Sequence, residues 1–261
     1  MTDKLVTATL ENHILHIVLN RPSKLNAANR QMLAELSAAF AEIDANAEIR
    51  VAVVSAQGPH FTAGLDLADI FQGDSTDGLK IIPEGSVDPW GVQTESVKKP
   101  VVVAVSGICF TLGVELILAA DIAVADTTTT FGQIEVSRGI LPFGGATTRF
   151  PARVGWGNAM RWLLTGETFD AAEAHRIGLV QELVPAGEHI ERAMTIARSI
   201  AAQAPLAVQA TLANARHAAR ASEVDAIGGL NSTLAALVET ADFTTGMASF
   251  ASRTTPAFTG N

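Results

Sequence analysis

The run Val101–Ala125, VVVAVSGICFTLGVELILAADIAVA, constrains this chain more than any other stretch, because across 25 residues only Glu115 and Asp121 carry charge. Its opening VVVAV is β-branched and apolar, the pattern of a strand buried on both faces. Ser106 and Gly107 break that strand. After a short segment to Gly113, VELILAA reads as a helix buried all round. Asp121 ends the helix and IAVA begins another buried strand. The run is long enough for a membrane span. Two glycines and two carboxylates within it, and no second span elsewhere, argue for a protein core instead. A carboxylate in such a run is paired, used, or turned outward through a gap in the packing. Glu115 is therefore the residue that needs explaining.

The chain's 261 residues allow one large domain or a domain with an appendage. Hydrophobic residues make up 48% and charged residues 17%, a core-rich balance that excludes a disordered chain. A formal net charge of −9 argues against nucleic acid or an anionic membrane as partner, and an anionic ligand would need a local basic patch. Cys109 is the sole cysteine, so no intrachain disulfide forms, which fits a reducing compartment. The opening MTDKLVTATLENH lacks an apolar core of signal-peptide length. The expectation is a soluble, cytoplasmic protein.

Leu5–Leu10 and His13–Leu19, broken at Glu11–Asn12, predict a β-hairpin, followed by a turn at RPSKLNA. Met32, Leu33, Leu36, Phe40 and Ile43 recur at helical spacing within Asn29–Ala45. Val51–Ser55 reads as a short buried strand, Gln57–Gly64 as a loop and Leu65–Phe71 as the start of a short helix. Gln72–Gln93, rich in Gly, Pro, Asp and Ser, reads as a mobile flap over a ligand entrance, with Trp90 in it. Arg138–Phe150 reads as a glycine-rich loop. Gly155–Thr165 reads as a helix with Trp156, Met160, Leu163 and Leu164 inward. Asp170 predicts an N-cap for a helix stopped near Gly178, and Val180–Val184 a strand. From Pro185 the pattern is helical, with breaks at Ala204–Pro205, near Ser222 and at Asp242. This predicts an α/β core over residues 1–184 with right-handed crossovers, then a helical oligomerisation region over 185–261.

Three local features converge: PHFTAGLDL at Pro59–Leu67, Gly107–Glu115, and FGQIEVSRGILPFGGATTRF at Phe131–Phe150. With NRPSKLNA early, Gly178–Pro185, and a late GMASF, Arg253 and PAF tail, they resemble the crotonase superfamily of enoyl-CoA hydratases and isomerases over nearly the whole chain. The combination is specific, although each piece alone is weak. The resemblance implies a spiral of ββα units and a C-terminal helical trimerisation region, assembled as a trimer or hexamer. It also implies an acyl-CoA thioester substrate, with coenzyme A carried by the substrate and no separate cofactor.

Thioester chemistry of this kind needs two backbone N–H groups aimed at the carbonyl oxygen as it gains charge. A turn after a strand and a helix N-terminus supply such donors. By resemblance, Ala63 and Leu112 provide them, with Gly64, Leu65 and Asp66 lining the ligand. Asp66 has an alternative reading as a helix cap. Glu115 and Glu135, twenty residues apart as in the family pattern, match the acid/base glutamates. Without the resemblance, Glu135 would read as a solvated loop residue. Lys24, with Arg21, is the local cation for the CoA phosphates, unless it serves only surface solubility. No His/Cys cluster has metal-ligand spacing, and no strand-borne GxGxxG supports a nicotinamide cofactor.

Thr111–Leu112–Gly113 stands where many relatives carry consecutive glycines, and Phe143 stands in a loop that usually reads PGAGG. By the same resemblance, Phe143 puts a large ring near the place of the attacking water and marks an altered acyl pocket. Keeping both glutamates favours reversible syn hydration of a trans-2-enoyl-CoA. The alternatives are an isomerase with Glu135 as its single base and a non-catalytic acyl-CoA-binding protein.

Overall fold

The structure is a computed structural model that describes residues 4–70, 82–220, 236, 239–252 and 254–261. β1 (Val6–Glu11) and β2 (Ile14–Leu19) form the expected hairpin, followed by α1 (Arg30–Ala45), whose first turn is capped by the Asn29 side chain accepting from the Met32 N–H. β3 (Val51–Ala56) leads to the short α2 (Leu67–Ile70). Then come β4 (Val101–Val105), β5 (Ile108–Phe110), α3 (Leu112–Ala119), β6 (Ile122–Asp126) and β7 (Thr130–Gly132). α4 (Ala146–Val154), α5 (Trp156–Thr165), β8 (Thr168–Asp170), α6 (Ala171–Arg176) and β9 (Glu182–Val184) complete the mixed part. The C-terminal part is helical: α7 (His189–Ala201), α8 (Pro205–Arg220) and α9 (Ala241–Ser252).

One sheet has the order β1-β2-β3-β4-β6-β9, parallel from β2 onward, and a smaller one the order β5-β7-β8. Successive strands β4 and β5, and then β6 and β7, thus go to different sheets before the next helix. The reason β4 reads as an unbroken apolar run is now visible. Val101, Val103 and Val105 face the main core with α1 and α3, while Val102 and Ala104 face α7. α7 lays Ala193, Ala197 and Ala201, four residues apart, against Val51, Val53 and Val124, and small side chains let its backbone approach the sheet. The first helix after residue 184 is therefore built into the packing of the core sheet.

The small sheet supports the segment that carries Glu135. Phe169 of β8 stacks on Trp162, Phe131 and Phe150, with centroids 4.6, 5.6 and 6.4 Å away. Cys109 sits wholly buried in β5, paired with Phe131 of β7 and bridged to Thr62.

Four expectations need correction or relocation. Arg138–Phe150 is not loop throughout: a 3-10 turn covers Glu135–Arg138, and α4 begins at Ala146. On α5, Trp156 and Leu164 are 72% and 70% exposed, and Ala159, Trp162 and Leu163 are the buried face. Residues 72–81 of the expected flap lie outside the described residues, whereas in 82–93 the side chains of Ile82, Asp88 and Trp90 are buried. Leu230, Leu234, Leu237 and Val238, apolar residues of the expected helical oligomerisation region, also lie outside the described residues.

Candidate active site

Thr62 organises the first turn. Its backbone pairs with Ile108 and Phe110 of β5, its hydroxyl donates to the Asn26 carbonyl at 2.7 Å, and the same oxygen accepts from the Gly64 N–H at 3.1 Å. The turn is thereby stitched to the strand that runs into α3. Gly64, at φ +104, lies under Thr111, whose hydroxyl would be 2.1 Å from any Cβ there. Thr111 itself has φ 48 and ψ −112, a region that costs a β-branched residue about 1–3 kcal/mol. That strained residue sits directly before the first helical N–H, that of Leu112.

The two candidate donors divide differently from expectation. The Ala63 N–H already donates to the Leu25 carbonyl at 2.9 Å, so it is not available to a ligand. Two residues on, the Leu65 N–H has no partner among the described residues, since the bridge to Ala28 uses the Gly64 carbonyl and the Asp66 N–H. The Leu112 N–H, at the start of α3, is likewise unpartnered among them. Leu65 and Leu112 both line a cavity of about 240 Å³, with Glu115, Glu135, Phe143 and Ala63.

Glu115 is 4% exposed on α3. Its Oε1 accepts from the Gly144 N–H at 2.7 Å and the Ala146 N–H at 3.2 Å. Burial pushes its carboxyl up to about 7, against the pull of those two N–H groups and the Arg149 charge. Gly144 must be glycine for this contact, because a Cβ would lie 2.5 Å from Oε2. Glu135 is 5% exposed and opens the 3-10 turn. Burial also raises it to about 7, and the charge of Glu115 pushes in the same direction.

Two contributors were not read from the sequence. Gln133, fully buried, has its side-chain amide 3.0 Å from both Glu135 oxygens. Turned one way, its NH2 donates to the carboxylate; turned the other, its oxygen accepts from the acid. A polar residue two positions before Glu135 in an otherwise apolar strand end was the available signal. Trp90, expected in a mobile flap, donates its indole N–H to the Leu112 carbonyl at 2.9 Å. Asp88 holds that turn by accepting from the N–H groups of Trp90, Val92 and Gln93. The remaining predicted residues lie elsewhere: Gly64 is packed beneath Thr111, Asp66 pairs with Arg21 at 2.8 Å, and Lys24 is exposed outside the cavity lining.

A family model described as enoyl-CoA hydratase/isomerase matches residues 9–261. The chain belongs to the enoyl-CoA hydratase/isomerase family. A solved structure of a probable enoyl-CoA hydratase/isomerase from Mycobacterium abscessus is similar to it at 50% identity and TM-score 0.95, over 99% of this chain and all of that one. A probable enoyl-CoA hydratase of Mycobacterium bovis is 30% identical over 259 residues, 99% of each chain. A peroxisomal dienoyl-CoA isomerase of Arabidopsis thaliana is 31% identical over 224 residues, 81% of this chain and 80% of that one. The crotonase resemblance read from the motifs is thus correct, and hydratases and isomerases both stand among the family's members. No helix among the described residues is long and apolar enough to cross a membrane.

Proposed function

We propose that this family member catalyses reversible syn hydration of a trans-2-enoyl-CoA to a 3-hydroxyacyl-CoA. The observation that carries this is the pair of buried glutamates, Glu115 and Glu135, lining one cavity with both carboxyls raised to about 7. Near neutral pH such a pair shares about one proton. Two backbone N–H bonds favour the ionised form of Glu115, and its charge favours the protonated form of Glu135. Glu115 then takes a proton from water as the hydroxyl oxygen bonds to C3. Glu135 gives its proton to C2. The thioester oxygen carries negative charge between these events and is held by the N–H groups of Leu65 and Leu112. Water is added across the double bond, and the pair ends with one proton, as it began.

Coenzyme A enters and leaves with the acyl group, so the reading needs no separate cofactor. Lys24, exposed beyond the turn, is a candidate contact for its phosphates. A cytoplasmic homotrimer or hexamer is part of this reading, and the large apolar side chains of Trp156 and Leu164, exposed on α5, fit a face covered by a second copy. A monomer by light scattering at micromolar concentration would contradict the assembly.

The test of the chemistry is Glu115→Gln, Glu135→Gln and the double variant, assayed on trans-2-enoyl-CoA thioesters with mass readout. Each single change should lower kcat by about 10²–10⁴. The double should lose much less than the product, because the pair acts on one water. If Glu115→Gln kept near-wild-type turnover while Glu135→Gln did not, a one-base isomerase would replace this reading. Phe143, on the cavity wall, would then serve to keep water out. Acyl-CoA binding with no conversion of any thioester would favour a non-catalytic role.

A further inference from the structure

The cavity has one lining residue that hydration of a plain acyl chain does not use. Arg138 closes the 3-10 turn that Glu135 opens. In a 3-10 helix the side chains at i and i+3 eclipse, so the two residues occupy one face of the turn. Among the described lining residues Arg138 is the sole lysine or arginine. It is exposed, and its side chain makes no hydrogen bond or ion pair with the described residues.

The neighbouring acids do not neutralise it. Asp88 is engaged with three backbone N–H groups, and Glu115 with two. Glu135 lies on the same turn without an ion pair to Arg138. Much of the surrounding wall is apolar, with Leu67, Ile82, Ile134, Ile140 and Phe143. An apolar acyl chain would meet this wall well, but it would lie beside a cation whose hydration it disturbs. A chain with an anionic end would give that cation its partner. On a protein of net charge −9, a local guanidinium is also what an anionic group needs to enter a cavity with two glutamates.

We propose that Arg138 reads the far end of the acyl chain, and that the preferred substrate is a short trans-2-enoyl-CoA whose acyl group ends in a carboxylate. This rests on the acyl-CoA reading of the cavity. A guanidinium matches a carboxylate in a two-point, planar contact that lysine cannot copy. Three residues of 3-10 helix rise about 6 Å, so a carboxylate a few bonds beyond C3 comes within reach. That points to chains of five or six carbons.

The primary experiment is calorimetric and does not depend on turnover. The full-length protein is titrated with a saturated five-carbon acyl-CoA ending in a carboxylate, and with pentanoyl-CoA. Wild type, Arg138→Leu and Arg138→Lys are compared, with pentanoyl-CoA binding and circular dichroism confirming that each variant is folded. Wild type should bind the carboxylate-ended thioester about tenfold more tightly or better, the usual worth of a hydrogen bond to a charged group. Arg138→Leu should bring the ratio to about one, Arg138→Lys should keep part of it, and added salt should reduce it. Equal affinities in wild type, or a preference that survives Arg138→Leu, would overturn the proposal.

The matching five-carbon trans-2-enoyl-CoA pair then separates this inference from hydration itself. Hydration of the methyl-ended chain, with no preference in binding or kcat/KM, would refute the role of Arg138 and leave the hydratase reading standing. A preference in binding that depends on Arg138, with neither chain hydrated, would do the reverse. Failure of both saturated thioesters to bind would sink the two together.

Discussion

Replacing Glu115 with Gln should make the protein more stable, and only above a certain pH. The unfolded carboxyl titrates near 4.5, the folded one near 7. Because the folded pKa is the higher one, the folded state binds its proton more tightly, and stability is lost as pH rises. Below pH 4.5 the group is neutral in both states and its burial carries no charge penalty. Between 4.5 and 7 the unfolded chain ionises while the folded chain holds its proton. Above 7 the loss is complete. At 1.36 kcal/mol per pH unit, the shift corresponds to about 3 kcal/mol. Gln is neutral throughout, and its carbonyl oxygen can still accept from Gly144 and Ala146. The variant should therefore gain about 3 kcal/mol over wild type at pH 8.5 and less than about 1 kcal/mol at pH 5. Urea unfolding at both pH values and equal protein concentration measures this, the larger gain moving the midpoint by about 1 M or more. A gain of the same size at both pH values, or a less stable variant at pH 8.5, would refute the reasoning. Glu115 would then not be a carboxylate held against its burial cost.

Gly144→Ala places a Cβ 2.5 Å from Glu115 Oε2 and 2.8 Å from its Cδ; kcat should fall by about 10²-fold or more as the carboxylate is displaced, with an unchanged circular dichroism spectrum. The pH profile of kcat/KM should be a bell centred near 7, because the proposed mechanism needs one proton on a pair raised to about 7; Glu135→Gln should remove one limb. Asp170→Ala deletes the side-chain bond to the Glu173 N–H that caps α6. It should cost about 1 kcal/mol in urea unfolding while turnover stays at the wild-type rate.

The central strand and Glu115 were legible because both are local facts: five β-branched or small residues in a row, and one carboxylate where apolar residues surround it. The cap at Asp170 was legible for the same reason. The face of α5 was not. Trp156, Met160, Trp162, Leu163 and Leu164 are apolar on more than one side, so helical period admits two solutions. The stack on Phe169 selects Trp162. The start of α4 was hidden by Gly144, Gly145 and an internal Pro151. The turn after β3 was legible as a turn, but which of its N–H groups is free depended on where the Leu25 carbonyl lies, 38 positions back, and no local pattern reports that. Glu135 needed the family pattern, since a glutamate after a short strand is otherwise an ordinary surface residue.

The single thiol offers a way to time the site's backbone. Cys109 is sealed between β7 and Thr62, and its Sγ lies 3.1 Å from where a Cβ on Gly113 would be. Burial raises the thiol well above its ordinary value, so a thiol reagent reacts only after this layer parts and the sulfur ionises. The strand that must part is the one joining the Leu65 turn to the Leu112 helix. The rate of thiol labelling under native conditions is therefore a clock for how often the two proposed N–H donors lose their common support, and a bound thioester that holds them together should slow it.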